Sequence, residues 1–368
     1  MSAICLFLSG DVMTGRGIDQ ILLYPSNPVL HEPYVKNAKE YVLLAEKKNG
    51  LIPKPASFSY IWGDALALLE KMSPDVRIVN LETSVTKSGD YWRGKDVHYR
   101  MNPQNIQCLK EAKIDCCCLA NNHVLDWGYS GLTETLQTLT QAEIRSAGAG
   151  NNIDEAESPA VLELGGKGRV IVFSVGSETS GVPFSWAASE SRQGISLVDE
   201  MSDEAVYRLR RKIKEIKRQG DIVIISVHWG ANWGYAVPFE QREFAHKLID
   251  QAGVDVIYGH SSHHPKGIEV YKRKLVLYGC GDFLNDYEGI GGYESFRSDL
   301  CLMYFASVEP LTGSLLSLEM VPLQIRRFRL NNALREDAEW LSGVLEREEA
   351  KYGIDIMLRK DNSIQLLA

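Results

Sequence analysis

Between residues 121 and 126 the chain carries Asn121, Asn122, His123 and Asp126, in the stretch LANNHVLDWG. Two amides, an imidazole and a carboxylate have no packing reason to stand together. As a set they can ligate a metal, move a proton or hold a polar substrate. Residues of the same kinds recur in four other places: Asp11 in GDVMTGRG, Asn80 with Glu82 in NLETSV, His228 in HWGANWG, and His260 with His263 in GHSSHHP. Carboxylate, amide oxygen and imidazole together suit Mn²⁺, Fe²⁺, Zn²⁺ or Ni²⁺, whereas an all-oxygen set would suit Mg²⁺ or Ca²⁺. With one carboxylate bridging, six such ligands hold two ions roughly 3.5 to 4 Å apart, which clamps a tetrahedral group and acidifies water.

Each group follows a short apolar run that reads as a strand: residues 4–8, 76–79, 114–119, 221–227 and 254–258. Behind residues 119–128, Leu132, Leu136 and Leu139 lie at helical spacing over 130–141. The polar groups therefore fall at the carboxyl ends of strands, where open α/β sheets bind ligands. Further helices are expected over 60–72, 103–112, 203–219, 240–252 and 333–351, the last for packing or a dimer contact. Hairpin partners are expected at 161–164 with 169–175 and at 268–271 with 275–280, and further strands at 300–308 and 315–323. Residues 24–55 and 177–195 read as long surface excursions of the kind that form lids. The last residues, 362–368, read as a strand or a frayed tail.

Taken singly, most of these residues have a plainer reading. Asp11 serves equally as a turn or helix-cap aspartate, and His228 beside Trp229 and Trp233 as a packed core histidine. The basic and aromatic residues Arg93, Lys95, His98, Tyr99 and Arg100 form either a solvated loop or a face for an anionic substrate. His246, on a helix with no polar company in the sequence, is assigned to packing. Five strand ends that all finish in metal-competent groups are what make coincidence a poor account.

Composition sets limits on partners. A chain of 368 residues with 45% hydrophobic residues can bury a large core, and a net charge of −8 argues against nucleic acid or an anionic membrane as partner. The 7 cysteines are odd in number, lie mostly in apolar runs and show no C-x-x-C spacing, so a reducing compartment is expected. The first eight residues read as a strand rather than a signal segment, and no window has the length of a membrane span, so a cytoplasmic protein is expected.

The ordered motifs GDVMTGRG, NLETSV, NNHVLDWG, HWG, GHSSHHPKGIEVY and YGCGDF resemble those of the CapA or PgsA proteins of bacterial poly-γ-glutamate capsule synthesis, themselves similar to calcineurin-like metallophosphatases. The resemblance covers about residues 4–283. It implies an α/β fold, a four-layer α/β/β/α metallophosphatase-like sandwich over 1–327, with 328–368 as a C-terminal helical appendage. It also implies that Glu82 bridges two ions, that Asp11 and His263 ligate one, and that Asn122, His228 and His260 ligate the other. His123 is then the imidazole that protonates a leaving group or steadies charge. The metallophosphatase first motif has a histidine where this chain has Met13, so the resemblance implies one site that is short of a ligand and is weak, filled by Asp126 or empty.

The expected function is a metal-dependent hydrolase with one or two divalent ions (Mn, Zn or Fe), cleaving an amide or ester of a small acidic, γ-glutamyl-like substrate. Arg16, Arg100 and Lys266 would pair substrate carboxylates, Asn80 and Tyr99 would add polar contacts, and Trp229 and Trp233 would form walls. The alternatives are a phosphomonoesterase or phosphodiesterase acting on a phosphorylated substrate at the same centre, and a non-catalytic component of a polymer synthase.

Overall fold

The computed structural model describes residues 2–198 and 201–367. Strand Ile4–Val12 lies in the middle of a large mixed sheet, parallel to Val76–Leu81 on one side and antiparallel to Leu300–Val308 on the other. Cys116–Cys118 and Arg145–Ala147 extend the parallel side, and Leu315–Ile325 the antiparallel side. A second sheet is built on Arg169–Ser177, Ile222–His228, Val256–His260 and Lys274–Leu277, all parallel, with antiparallel strands added by Ala160–Glu163 and Ile268–Tyr271.

Residue alternation along these strands builds the layers, because successive side chains leave a strand on opposite faces. Leu6, Leu8, Ile78, Cys116 and Cys118 point from the first sheet into a shared core with Val170, Val172, Ile222, Ile224, Val256 and Tyr258 of the second. Their neighbours Phe7, Val79 and Cys117 point the other way, under Trp62, Leu69, Leu132 and Leu139. On the far side Ile171, Phe173, Val223 and Ile225 pack beneath Val206, Leu209, Ile213 and Phe244 of helices Asp203–Ile216 and Phe239–Lys247. The result is the expected four-layer sandwich: helices, sheet, sheet, helices. All seven cysteines are unpaired thiols, six of them buried, as small core hydrophobes. Among the described residues no helix is long and apolar enough to cross a membrane.

Several expectations change in detail. The helix expected over 60–72 is broken at Gly63, whose backbone (φ +45) passes so close to Leu330 that a Cβ would lie 2.1 Å from its carbonyl oxygen; Tyr60–Trp62 is a separate 3-10 turn before helix Ala65–Met72. The excursion over 24–55 carries a helix of its own, Lys39–Asn49. His246 does have polar company, since Glu269 on a neighbouring strand lies 3.0 Å from its Nε2, a partner that sequence distance hid. The C-terminal segment holds helix Arg335–Glu349 but is more than a helical appendage. Strand Ile364–Leu367 pairs with Leu315–Ile325, and Leu341, Leu345 and Ile364 enter the core between the sheets. Ala368 lies outside the described residues.

That helix ends in a liability. Glu349 is fully buried and neither of its carboxyl oxygens has a hydrogen-bond partner among the described residues. Burial, reinforced by the charges of Glu348 and Glu346, pushes its carboxyl up to about 9. A carboxyl whose folded value lies above its ordinary value costs stability once pH exceeds the ordinary value, and the cost grows until the folded value is passed. Glu349→Gln is therefore expected to raise the melting temperature at pH 8, by an amount on the order of 1–3 kcal/mol in unfolding free energy. The gain should shrink toward zero near pH 4.5, and paired melts across that range check it.

Candidate metal centre

The parallel strands of both sheets end at the same edge of the sandwich, and the polar groups meet there. Ile4–Val12 delivers Asp11, and Val76–Leu81 delivers Asn80, with Glu82 just beyond its end. Cys116–Cys118 leads into Asn121, Asn122 and His123, while His228 and His260 are neighbouring partners at the ends of their strands. The loop behind His123 is built from its own polar atoms. Asn121 Oδ1 accepts from the His123 backbone N–H at 3.1 Å, Asn121 Nδ2 donates to Asn80 Oδ1 at 3.1 Å, and Ser84 Oγ donates to the His123 carbonyl at 2.8 Å. Asn80 in turn donates to Asp11 Oδ1 at 2.7 Å, so it orients a carboxylate instead of facing the cleft.

Asp11, His228 and His260 each offer one donor atom, and all three atoms lie within 4.8 Å of one another. His260 Nε2 lies 2.6 Å from Ser226 Oγ, and His228 Nε2 lies 3.0 Å from Asn122 Oδ1. If those oxygens accept Nε2–H protons, both Nδ1 atoms are bare, and they face each other at 2.7 Å beside the Asp11 carboxylate. Two lone pairs at that distance repel unless a proton or a cation lies among them. Glu82 tells the same story from the carboxylate side. It is buried beside Asp11, and its Oε2 has no hydrogen-bond partner among the described residues.

Electrostatics make the case for a cation. Burial, and then the charge of Asp282, lifts the Asp11 carboxyl to about 7, while burial and then Asp11 push Glu82 well above the usual carboxylate range. Burial holds His260 down at about 3, and burial followed by the His260 charge holds His228 well below an ordinary imidazole. Imidazoles kept neutral at pH 7 retain their lone pairs, and carboxyls that cannot ionise unaided ionise readily beside a divalent ion. The residues present fit such an ion.

Beside this cluster stands a second one. His123 Nδ1 lies 2.6 Å from Asp126 Oδ2, and Lys95 Nζ lies 2.5 Å from Asp126 Oδ1 and 2.9 Å from His123 Nδ1. The remaining ring nitrogen, Nε2, is 3.6 Å from Glu82 Oε1, facing the metal-competent group. Burial, and then Lys95, holds His123 well below its ordinary value. Asp126 also accepts from the Tyr99 backbone N–H at 2.6 Å. With its oxygens committed in this way Asp126 does not stand in for the missing first-motif histidine. Met13, at that position, receives the Tyr287 hydroxyl on its sulfur at 3.6 Å.

Glu82, Asn122, His123, Ser261 and His263 line a cleft of about 690 Å³, together with Arg16, Lys95, Tyr99, Trp233, Tyr287 and Tyr293. Trp233 stacks on Tyr293 with ring centres 4.1 Å apart, so this tryptophan does form a wall. Other expected substrate residues are used elsewhere. Trp229 is buried in the outer core and donates to the Tyr278 carbonyl. Lys266 reaches the Ala236 carbonyl, and Arg100 bonds the Ser88 and Asn27 carbonyls while lying 3.7 Å over Trp127. Arg16 borders the cleft, but its guanidinium is committed to Asp286, Glu32 and Tyr41. His263 is grouped not with Asp11 but with Asp282, whose Oδ1 lies 2.8 Å from its Nδ1. Sequence reasoning missed Asp282, Tyr287 and Ser226, and it named Lys95 only as one of a basic and aromatic cluster, not as the partner of Asp126. Asp282 was within reach of the strand-end argument through YGCGDF; Tyr287 and Ser226 carry no local signal.

Comparison with known proteins gives the family. The model of the bacterial capsule synthesis protein PGA_cap family matches residues 5–287. A Mycobacterium tuberculosis protein named as a probable polyglutamine synthesis accessory protein is 47% identical over 365 residues, 99% of this chain and 96% of that one. The capsule biosynthesis protein CapA of Bacillus anthracis is 28% identical over 75% of this chain and 58% of its own. The PGA biosynthesis protein CapA of Bacillus subtilis is 30% identical over 56% of this chain and 52% of its own. The match spans every strand end that contributes to the cluster, and the chain belongs to the PGA_cap family of CapA-type bacterial capsule synthesis proteins.

Proposed function

We propose that this chain is a metal-dependent hydrolase that cleaves an amide or ester of an acidic, γ-glutamyl-like substrate in the synthesis or processing of poly-γ-glutamate, in a reducing, cytoplasmic setting. The observation that carries the reading is the buried group of Asp11, Glu82, His228 and His260, short of a counter-charge, beside an imidazole oriented by a carboxylate. Asp11, His228 and His260 would hold a divalent ion with Asn122 at their edge, and Glu82 would link it to a second position beside His263. Mn²⁺, Zn²⁺ and Fe²⁺ suit this donor set. When bound, such an ion supplies Lewis acidity toward the scissile group and toward water.

The chain's own residues supply the rest. Asp126, itself held by Lys95, fixes His123 by its Nδ1–H, so Nε2 is the atom that gives up or takes a proton at the cleft. The Tyr99 and Tyr287 rings, with their hydroxyls 3.0 Å apart and bonded to each other, border the same space. Trp233 and Tyr293 give the substrate an apolar wall and exclude water from one side. A scaffold with no chemistry has no use for a carboxylate that orients an imidazole toward a metal-competent carboxylate, which favours an enzyme over a purely structural component.

Glu82→Ala and His228→Ala are expected to lose metal and activity together. His123→Ala should keep its metal and lose about 10²–10⁴ in turnover. The assay is a γ-glutamyl anilide run in parallel with a chromogenic phosphate diester, on protein reloaded with Mn²⁺ or Zn²⁺. Release from the anilide alone supports the reading, release from the diester alone replaces it with a phosphoesterase, and full activity in an unmetallated Glu82→Ala sinks the centre. Chelation is expected to lower the melting temperature reversibly, since an ion at a hundred times its Kd stabilises by about 2.7 kcal/mol. An unchanged melt after verified metal removal contradicts the proposal.

A further inference from the structure

Asp282 lies outside the residues that the metal reading uses, yet it is built into the same place. Strand Asp282–Leu284 runs parallel to Ile4–Val12, and the register sets Asp282 directly beside Asp11. The side chain is buried, with Oδ1 accepting from His263 Nδ1 at 2.8 Å and Oδ2 accepting from Asn285 Nδ2 at 2.8 Å. His263 is the neighbour that lines the cleft, and its ring is held edge-on to Tyr287 with centres 5.4 Å apart. A histidine whose Nδ1–H is given to a carboxylate keeps its Nε2 lone pair for a ligand. That is how metal-binding imidazoles are oriented and made more basic.

Two further observations say why this chain needs the pair. Met13, two residues beyond Asp11, offers only a thioether that already receives the Tyr287 hydroxyl at 3.6 Å, and Mn²⁺ prefers carboxylate oxygen to such a soft donor. Asp282 is also the third buried carboxylate at this edge, after Asp11 and Glu82, and the largest charge acting on Asp11. Its negative charge attracts a second cation to the side of the centre that is a ligand short.

We propose that Asp282 is a positioning residue of the metal centre: it fixes His263 with Nε2 toward the cleft and adds the charge that lets a second divalent ion bind beside Glu82 without a first-motif histidine. The inference rests on the metal reading above.

The test is Mn²⁺ binding to the full-length protein, with free Mn²⁺ read by its electron paramagnetic resonance signal, and no turnover involved. Wild type is expected to take up two ions. Asp282→Ala should keep the tighter one and weaken the second about 10–100-fold. Asp282→Asn keeps the hydrogen-bond acceptor and loses the charge, so a smaller loss at the same site is expected. It also stands in for the alanine variant should that one fail to fold, as judged by its metal-free melt. Because part of the Asp282 effect passes through His263, removing Asp282 from His263→Ala should weaken the second ion by less than removing it from wild type, leaving only the loss due to its charge. Wild-type binding of both ions by Asp282→Ala and Asp282→Asn overturns the inference, as does full additivity of the His263→Ala and Asp282→Ala losses in the double variant. Wild type that binds no Mn²⁺ overturns the metal reading itself, and this inference with it.

Discussion

The rest of the structure depends on carboxyl groups that the protein buries together with too little counter-charge to ionise them all. Asp11, Glu82 and Asp282 come together at one edge of the sandwich, each almost fully excluded from water. The cations nearest to them are already committed, Lys95 to Asp126 and Arg16 to Asp286 and Glu32. Burying ionised groups without partners is among the costliest things a fold can do. A divalent ion resolves the cost, and the imidazoles of His228 and His260, held neutral by the same burial, complete its surroundings. The desolvation that would make a metal-free centre unfavourable is what makes the loaded one strong.

Two packed sheets allow such a site to be built rigidly. Asp11 and Asn80 come from one sheet and His228 and His260 from the other, so the core between the sheets fixes their separation. Tyr258 ties the layers directly: it sits in that core, and its hydroxyl accepts from the Asn80 backbone N–H at 3.1 Å. Around the site, Arg16 works as a clasp and not as a substrate ligand. It joins the end of the first strand to Glu32 of the long excursion and to Asp286 after the last site strand, with its guanidinium stacked 4.0 Å from Tyr41 and 4.6 Å from Tyr99. Losing it would loosen three loops at once.

What was legible in the sequence follows from how local each cause is. Strand ends were readable because a buried strand is a continuous apolar run, and a polar cluster at its carboxyl end stands out against it; Asp11, Asn122 and His228 were found this way. The alternation of Cys116, Cys117 and Cys118 between two cores follows from period-two geometry alone. Hydrogen-bond commitments were not legible, because they join residues far apart in the chain. Arg16, Arg100 and Lys266 look like free cations in one dimension and are satisfied by carboxylates or carbonyls in three. Trp229 and Trp233, four residues apart in one loop, differ for the same reason: one turns into the helix-covered core and the other into the cleft. Lys95 reaches Asp126 from across a turn whose path depends on tertiary packing. Asp282 was missed although its own segment stood out, because nothing local marks it as the partner of His263.

The most direct test of the central claim is a crystal structure of the protein grown with Mn²⁺, with diffraction recorded for anomalous scattering. The account predicts an anomalous peak at coordination distance from Asp11, His228 and His260, with Glu82 turned toward it. A well-ordered site without such a peak, in which His228 and His260 still face each other across a hydrogen bond, would contradict it.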